Sequence, residues 1–154
     1  EYLRRFIHHH KVASKKVSNG TAVAFRKGVI PVGGPLDKTF SGNVIVAGDA
    51  GGFTMAANGG GMPPGMVTGK IAGEVAADHL KNKSGISQYE ERWHHQVGKE
   101  LETALQIRRL IDRVMNSDEK MESTMNRLGP RYMRELIKCR LPRTLRIAAK
   151  LMRL

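Results

Sequence analysis

The chain has 154 residues, with 26 Lys and Arg against 14 Asp and Glu and a net charge of +12. That length predicts one domain or part of a larger one, and 40% hydrophobic residues are enough for a core, which excludes wholesale disorder. The one Cys, Cys139, excludes an internal disulfide framework and a multi-cysteine zinc site, and no apolar run approaches the roughly 20 residues of a membrane-spanning helix. The first residues, Glu1-Tyr2-Leu3-Arg4-Arg5-Phe6, have neither the apolar stretch nor the cleavage site of a signal peptide. Opening inside a helical pattern without Met, the chain reads as a fragment. Its excess charge points to an anionic partner, nucleic acid or a membrane surface.

Taken in chain order, Glu1 to about His10 reads as the end of a helix with Leu3, Phe6 and Ile7 on one side. Ser18-Asn19-Gly20 is a turn. Thr21–Arg26 and Val29–Val32 read as a pair of short strands, and Ser41-Gly42-Asn43 as a further turn. Val44–Ala47, four apolar residues in a row, predicts a strand buried on both faces. A Gly-rich stretch follows, and then a helix from about Pro64 to Leu80, with Pro tolerated in its first turn. Met66, Val67, Ile71, Val75 and Leu80 form its apolar stripe, and Gly69, Ala72, Gly73, Ala76 and Ala77 a second face of small residues.

Composition shifts near residue 82: of 17 Gly, 14 lie before it. This divides the chain into 1–82 and a helical region, 83–154. A long helix is expected from about Ser87 to Met115, opened by a Ser87/Glu90 capping box. Its seam is Tyr89, Trp93, Val97, Leu101, Ala104, Leu105, Ile111 and Val114. Tyr89 and Trp93 read as core. Ser117-Asp118-Glu119 starts the next helix and Gly129-Pro130 stops it. The last helical stretch begins near Arg131 and breaks at Pro142. It holds eight cations (Arg131, Arg134, Lys138, Arg140, Arg143, Arg146, Lys150, Arg153) against Glu135, over half the net charge, interleaved with apolar residues. Such a basic amphipathic stretch fits a membrane surface or a solvated face; no nucleic-acid motif accompanies it.

Chemistry concentrates between Val44 and Leu80. A strand leads into Gly48-Asp49-Ala50, then into Asn58-Gly59-Gly60-Gly61-Met62 and a helix N-terminus, whose unpaired N–H groups and partial positive charge favour an anion. Glycines let a ligand approach the backbone, and Asp49 can accept hydrogen bonds from a polyol. The glycine spacing is not that of a dinucleotide-binding G-x-G-x-x-G. His8-His9-His10 and His94-His95 are adjacent on helices and diverge, so no metal site is expected. Cys139 reads as an ordinary helical Cys.

The run VIVAGDAGGFTMAANGGGMPPGMVTGKIAGEVAADHL resembles the second FAD-binding motif of the geranylgeranyl reductase family, flavoproteins of the p-hydroxybenzoate hydroxylase type. The likeness is strongest to the archaeal branch that saturates digeranylgeranylglycerophospholipids. Residues 28–35, Tyr89-Glu90-Glu91-Arg92-Trp93 and Ser117-Asp118-Glu119 resemble flanking family segments, so the likeness covers about residues 1–130. It implies an α+β fragment: the C-terminal part of an FAD-binding and substrate domain (short strands, Gly-rich turn, helix) followed by an α-helical C-terminal region.

By the same resemblance, Asp49 matches the family Asp on the ribityl chain of FAD, with Gly48 and Ala50 beside it. Gly59, Gly60, Gly61 and Met62, preceded by Asn58, match the segment whose backbone passes the flavin ring. Ala56-Ala57-Asn58 stands where many relatives have Pro-Leu-Thr. The family's N-terminal G-x-G-x-x-G unit and middle substrate segment are not in these residues, so the fragment is expected to bind FAD poorly and to be inactive alone. The implied function is an FAD-dependent reductase saturating isoprenoid C=C bonds of geranylgeranyl groups in archaeal membrane-lipid biosynthesis. The catalytic acid is unknown. Implied partners are a prenylated lipid and an electron donor (reduced ferredoxin or NAD(P)H), with peripheral membrane contact through 131–154 and no nucleic acid. The implied location is cytoplasmic, on the inner face of the cell membrane. Two alternatives stand beside it: a flavoprotein of the electron-transfer-flavoprotein:quinone oxidoreductase type, and a non-catalytic basic helical module for membrane or nucleic acid.

Overall fold

The computed structural model describes residues 1–17 and 19–151, with side chains described as far as Ile147. Ser18 of the first expected turn and residues 152–154 of the basic tail lie outside the described residues, as do the side chains of 148–151. The described chain is mostly helical with one small antiparallel sheet, an α+β arrangement. Helices α1 (Tyr2–His9) and α2 (Ala13–Val17) come first, then strands β1 (Phe40–Ser41) and β2 (Val44–Ile45). A 3-10 turn (Gly48–Gly51) leads to α3 (Met62–Asn82). Next come α4 (Gln88–Trp93), a π turn (His94–Gly98), α5 (Lys99–Val114), α6 (Asp118–Ile137) and α7 (Arg143–Leu151).

The expected strands at 21–26 and 29–32 do not form. Those residues have β-prone side chains but no ladder partner among the described residues, and Val23 and Val29 are each 97% exposed. A strand is stabilised by its neighbour rather than by propensity, so the segment runs as irregular chain. Nor is Val44–Ala47 a strand buried on both faces. Its ladder is two residues long, pairing Phe40 with Ile45 and Ser41 with Val44 around Gly42-Asn43, and Val44 is 63% exposed.

In α3 the buried stripe is Pro64, Thr68, Ile71 and Val75, at steps of four, three and four. Met66 (76% exposed) and Leu80 (82%) fall outside it, and most of the small-residue face is also exposed. Helix α4, the π turn and α5 run on as the single rod expected at 87–115, with one widened turn. Tyr89, Trp93, Val97 and Leu101 are spaced by fours, and each such step overshoots an α-helical turn by about 40°. A π turn holds more residues per turn and returns these side chains to one line.

The Ser87/Glu90 capping box is absent, since Ser87 makes no side-chain cap bond. Glu90 reaches across the fold instead. Ser117 does cap α6, accepting from the Lys120 N–H at 3.3 Å, and Gly129 (φ 73°) breaks that helix where expected. His10 is also a cap: its Nδ1 accepts from the Ala13 N–H at 3.2 Å.

Two core clusters result. One joins Phe53, Ile71, Val75, Tyr89, Trp93 and Leu101. Phe53 meets Trp93 edge-on at 4.9 Å and Tyr89 edge-on at 6.4 Å, so Tyr89 and Trp93 are indeed core. The other joins Ala104, Ile107, Leu110, Leu136, Cys139 and Leu141, and buries the C-terminal helices against α5. Each large apolar side chain so buried contributes about 1.5–3 kcal/mol.

Candidate functional site

The site is assembled where the Gly48–Gly51 turn lies on the first turn of α3. Thr68, one turn inside that helix, makes the join: its Oγ1 accepts the Gly48 N–H at 3.1 Å and donates to the Pro64 carbonyl at 2.8 Å. Gly48 and Gly65 face each other across this join with room for no more than a Cβ. The turn then presents Asp49 at the helix mouth. One carboxylate oxygen, Oδ1, accepts from the Thr54 hydroxyl at 3.2 Å, while the side chain as a whole stays exposed. A Cβ on Gly61 would sit 2.6 Å from that Oδ1, so only glycine lets the carboxylate lie against the helix N-cap.

Asp49 and Gly61 therefore come together, with Gly48 behind them. Ala50 is exposed on the same turn, and Met62, the first residue of α3, is exposed beside Gly61. Gly59 and Gly60 belong to a tight loop closed by an isolated bridge, in which the Met55 N–H donates to the Gly60 carbonyl at 3.0 Å. The Asn58 side chain is used within the fold: Oδ1 accepts the Gly60 N–H at 2.8 Å and Nδ2 donates to the Ile137 carbonyl at 2.9 Å. That second bond ties the glycine loop to the end of α6.

The helix mouth is poorer in donors than a general helix N-terminus. Pro63 and Pro64 have no N–H, and the Gly65 N–H donates to the Gly61 carbonyl at 2.9 Å. Gly61 and Met62 keep the two remaining first-turn donors, on the positive end of a 21-residue helix.

A set of residues not singled out for it in sequence holds this turn in place. Glu90 Oε1 accepts the Thr39 N–H at 2.6 Å, and its Oε2 accepts from the Trp93 indole at 3.1 Å. The same indole donates to Thr39 Oγ1 at 3.0 Å, and the Tyr89 hydroxyl donates to the Val46 carbonyl at 2.9 Å. Three residues of α4 thus clamp the chain that runs into Gly48. The one sequence signal for such ties was a polar residue, Thr68, inside the apolar period of α3.

Burial pushes the Tyr89 phenol up to about 12, opposed in part by a hydrogen bond with Thr68 and aided, least of the three, by the Glu90 carboxylate. Folding thus favours the protonated phenol. Its stabilising contribution is present below the ordinary value of 10 and is lost as pH rises towards about 12. Ultraviolet titration should show one tyrosine ionising near 12, and Tyr89→Phe should remove that step and flatten the fall in stability over the same window. Burial also pushes the Cys139 thiol up. Among the described residues, no three His, Cys, Asp or Glu side chains gather as a metal site, and no helix is long and apolar enough to cross a membrane.

Comparison with known proteins gives the class. Digeranylgeranylglycerophospholipid reductase 2 of Methanothermobacter thermautotrophicus is 32% identical over 136 residues, 86% of this chain and 35% of that protein. The digeranylgeranylglycerophospholipid reductase of Methanocaldococcus jannaschii is 32% identical over 133 residues (84% and 33%), and that of Methanococcus vannielii 36% over 122 (77% and 31%). The chain spans about a third of the length of these curated relatives. No family profile and no solved structure matches it. The chain belongs to the geranylgeranyl reductase family, and the relatives above are named as reductases of a prenylated phospholipid.

Proposed function

We propose that this chain carries part of the flavin site of an FAD-dependent reductase acting on isoprenoid C=C bonds of geranylgeranyl groups in archaeal membrane lipids. The fold is then the C-terminal part of a p-hydroxybenzoate-hydroxylase-type FAD-binding unit with a helical region after it. The observation that carries this reading is the seating of Gly48-Asp49 on the mouth of α3. It leaves an open carboxylate, two free N–H donors and a helix dipole side by side, among glycines that leave the backbone bare.

These residues fit the group. Thr54 fixes Oδ1 of Asp49, and Oδ2, which has no protein partner among the described residues, is left to accept from a ribityl hydroxyl. The Gly61 and Met62 N–H groups and the positive end of α3 would stabilise negative charge on the bound group. Asn58 fixes the Gly60 N–H, so Gly59 and Gly60 would offer backbone rather than side chain to a bound ring. When bound, FAD supplies the hydride, while the protein orients the partners. The prenylated lipid is the acceptor and reduced ferredoxin or NAD(P)H the donor; stopped-flow reduction with each separates the two. The exposed cations of 131–147 bring the enzyme to the inner face of the membrane from the cytoplasm.

Asp49→Ala in the full-length protein tests this reading. Losing a charged acceptor to a buried hydroxyl weakens binding by about tenfold or more. The purified variant is expected to lose its visible flavin absorbance and its reductase activity together. A variant that keeps stoichiometric flavin and full turnover overturns the reading.

A further inference from the structure

The end of α6 carries a second feature, built from residues other than those that hold Asp49 at the mouth of α3. After the break at Gly129, the end of α6 and the connector to α7 border an open groove of about 580 Å³ lined by Arg131, Tyr132, Glu135, Arg140, Leu141 and Pro142. We propose that it binds the phosphate group of a small organic phosphate ester.

The backbone beneath the groove is held in place. Leu136, Cys139 and Leu141 are anchored in the second core cluster. The connector is held by the Cys139 N–H to the Leu136 carbonyl (2.9 Å) and the Arg140 N–H to the Glu135 carbonyl (2.8 Å). Cys139 takes a left-handed conformation (φ 54°), uncommon for a residue with a side chain, and this turns Arg140 back towards α6. Arg131 and Arg140 thereby line one groove.

Neither is used up. Arg131 has no carboxylate within 4.0 Å among the described residues, and Arg140 pairs only with Glu135, at the outer limit of 4.0 Å and largely in solvent. Such an exposed pair is worth little. Between residues 131 and 147 there are six cations and one anion, so the field at the groove is positive. Guanidinium forks match the oxygens of a phosphate, which can take both at once. Tyr132, Leu141 and Pro142 give the carbon part of an ester an apolar wall. The volume lies within the range of about 300–1,000 Å³ of small-ligand sites. Glu135 is the one group on the wall that opposes an anion.

Isothermal titration of the full chain with inorganic phosphate and with glycerol 1-phosphate tests the proposal, with sulfate and chloride as controls. One saturable site per chain is expected. The Arg131→Gln/Arg140→Gln pair should weaken it tenfold or more, and Glu135→Gln should tighten it severalfold, an effect that a purely structural role for these exposed residues would not produce. Glycerol 1-phosphate is expected to bind more tightly than inorganic phosphate; equal binding overturns the assignment to an ester. Absence of saturable heat with either probe overturns the proposal, as does binding unchanged in the double variant or chloride competing as well as phosphate. The readout involves no flavin, so it stands or falls separately from the reductase reading.

Discussion

Trp93→Ala is expected to destabilise the protein by about 3–5 kcal/mol, read as a lower midpoint in chemical denaturation. The indole is 3% exposed and fills the centre of the aromatic cluster, edge-on to Phe53. Its removal leaves a cavity that α3 and α4 cannot close, because Tyr89 and Phe53 are each held by contacts of their own. It also takes the indole donor from Glu90 Oε2 and Thr39 Oγ1. Trp93→Phe keeps most of the packing and loses the donor, so it should cost less, about 1–3 kcal/mol. If the two variants are equally stable, the packing role assigned to the ring is wrong.

Gly52→Val is expected to be worse for the site than for the core. Gly52 has φ 73°, and a Cβ there would overlap the Gly34 carbonyl oxygen. The left-handed conformation alone costs a branched residue about 1–2 kcal/mol. The clash adds to this because its partner is backbone, which cannot rotate away. Relief requires the 3-10 turn to lift from the Gly34-Pro35 segment, breaking the Leu36 N–H bond to the Gly51 carbonyl (3.0 Å). Asp49 rides on that turn. The variant should therefore lose ligand binding at the helix mouth along with about 3 kcal/mol of stability. A variant with wild-type stability and an unmoved turn would contradict the argument.

Those two residues differ in how visible they were beforehand. Trp93 stood in a seam of fours with Tyr89, Val97 and Leu101, and burial followed from periodicity alone. The π turn did not, although the uninterrupted fours that it accommodates were there to be counted. Gly52 was one glycine among many; nothing local marked it as the one facing Gly34. Glu90 was assigned to a cap three residues away because a capping box is a local pattern, whereas its partners, Thr39 and Trp93, are set by packing. Thr21–Arg26 and Val29–Val32 failed for the opposite reason: their side chains suit a sheet, but the described chain offers no strand to pair with.

Sequence by itself determined the helices with a clear apolar period, the break at Gly129, the cap at Ser117, and the glycine-rich turn before α3, while the break expected at Pro142 comes earlier, after Ile137. These rest on interactions within a few residues, where side-chain type and backbone geometry are directly coupled. Only the tertiary structure decided that Thr68 seats the turn on the helix, that Asp49 lies against Gly61, and that Tyr89, Glu90 and Trp93 hold the approach. It alone brought Arg131 and Arg140 to one groove. Each of these depends on a hydrogen bond or a close contact between separate elements, and such pairings are chosen by how the elements pack.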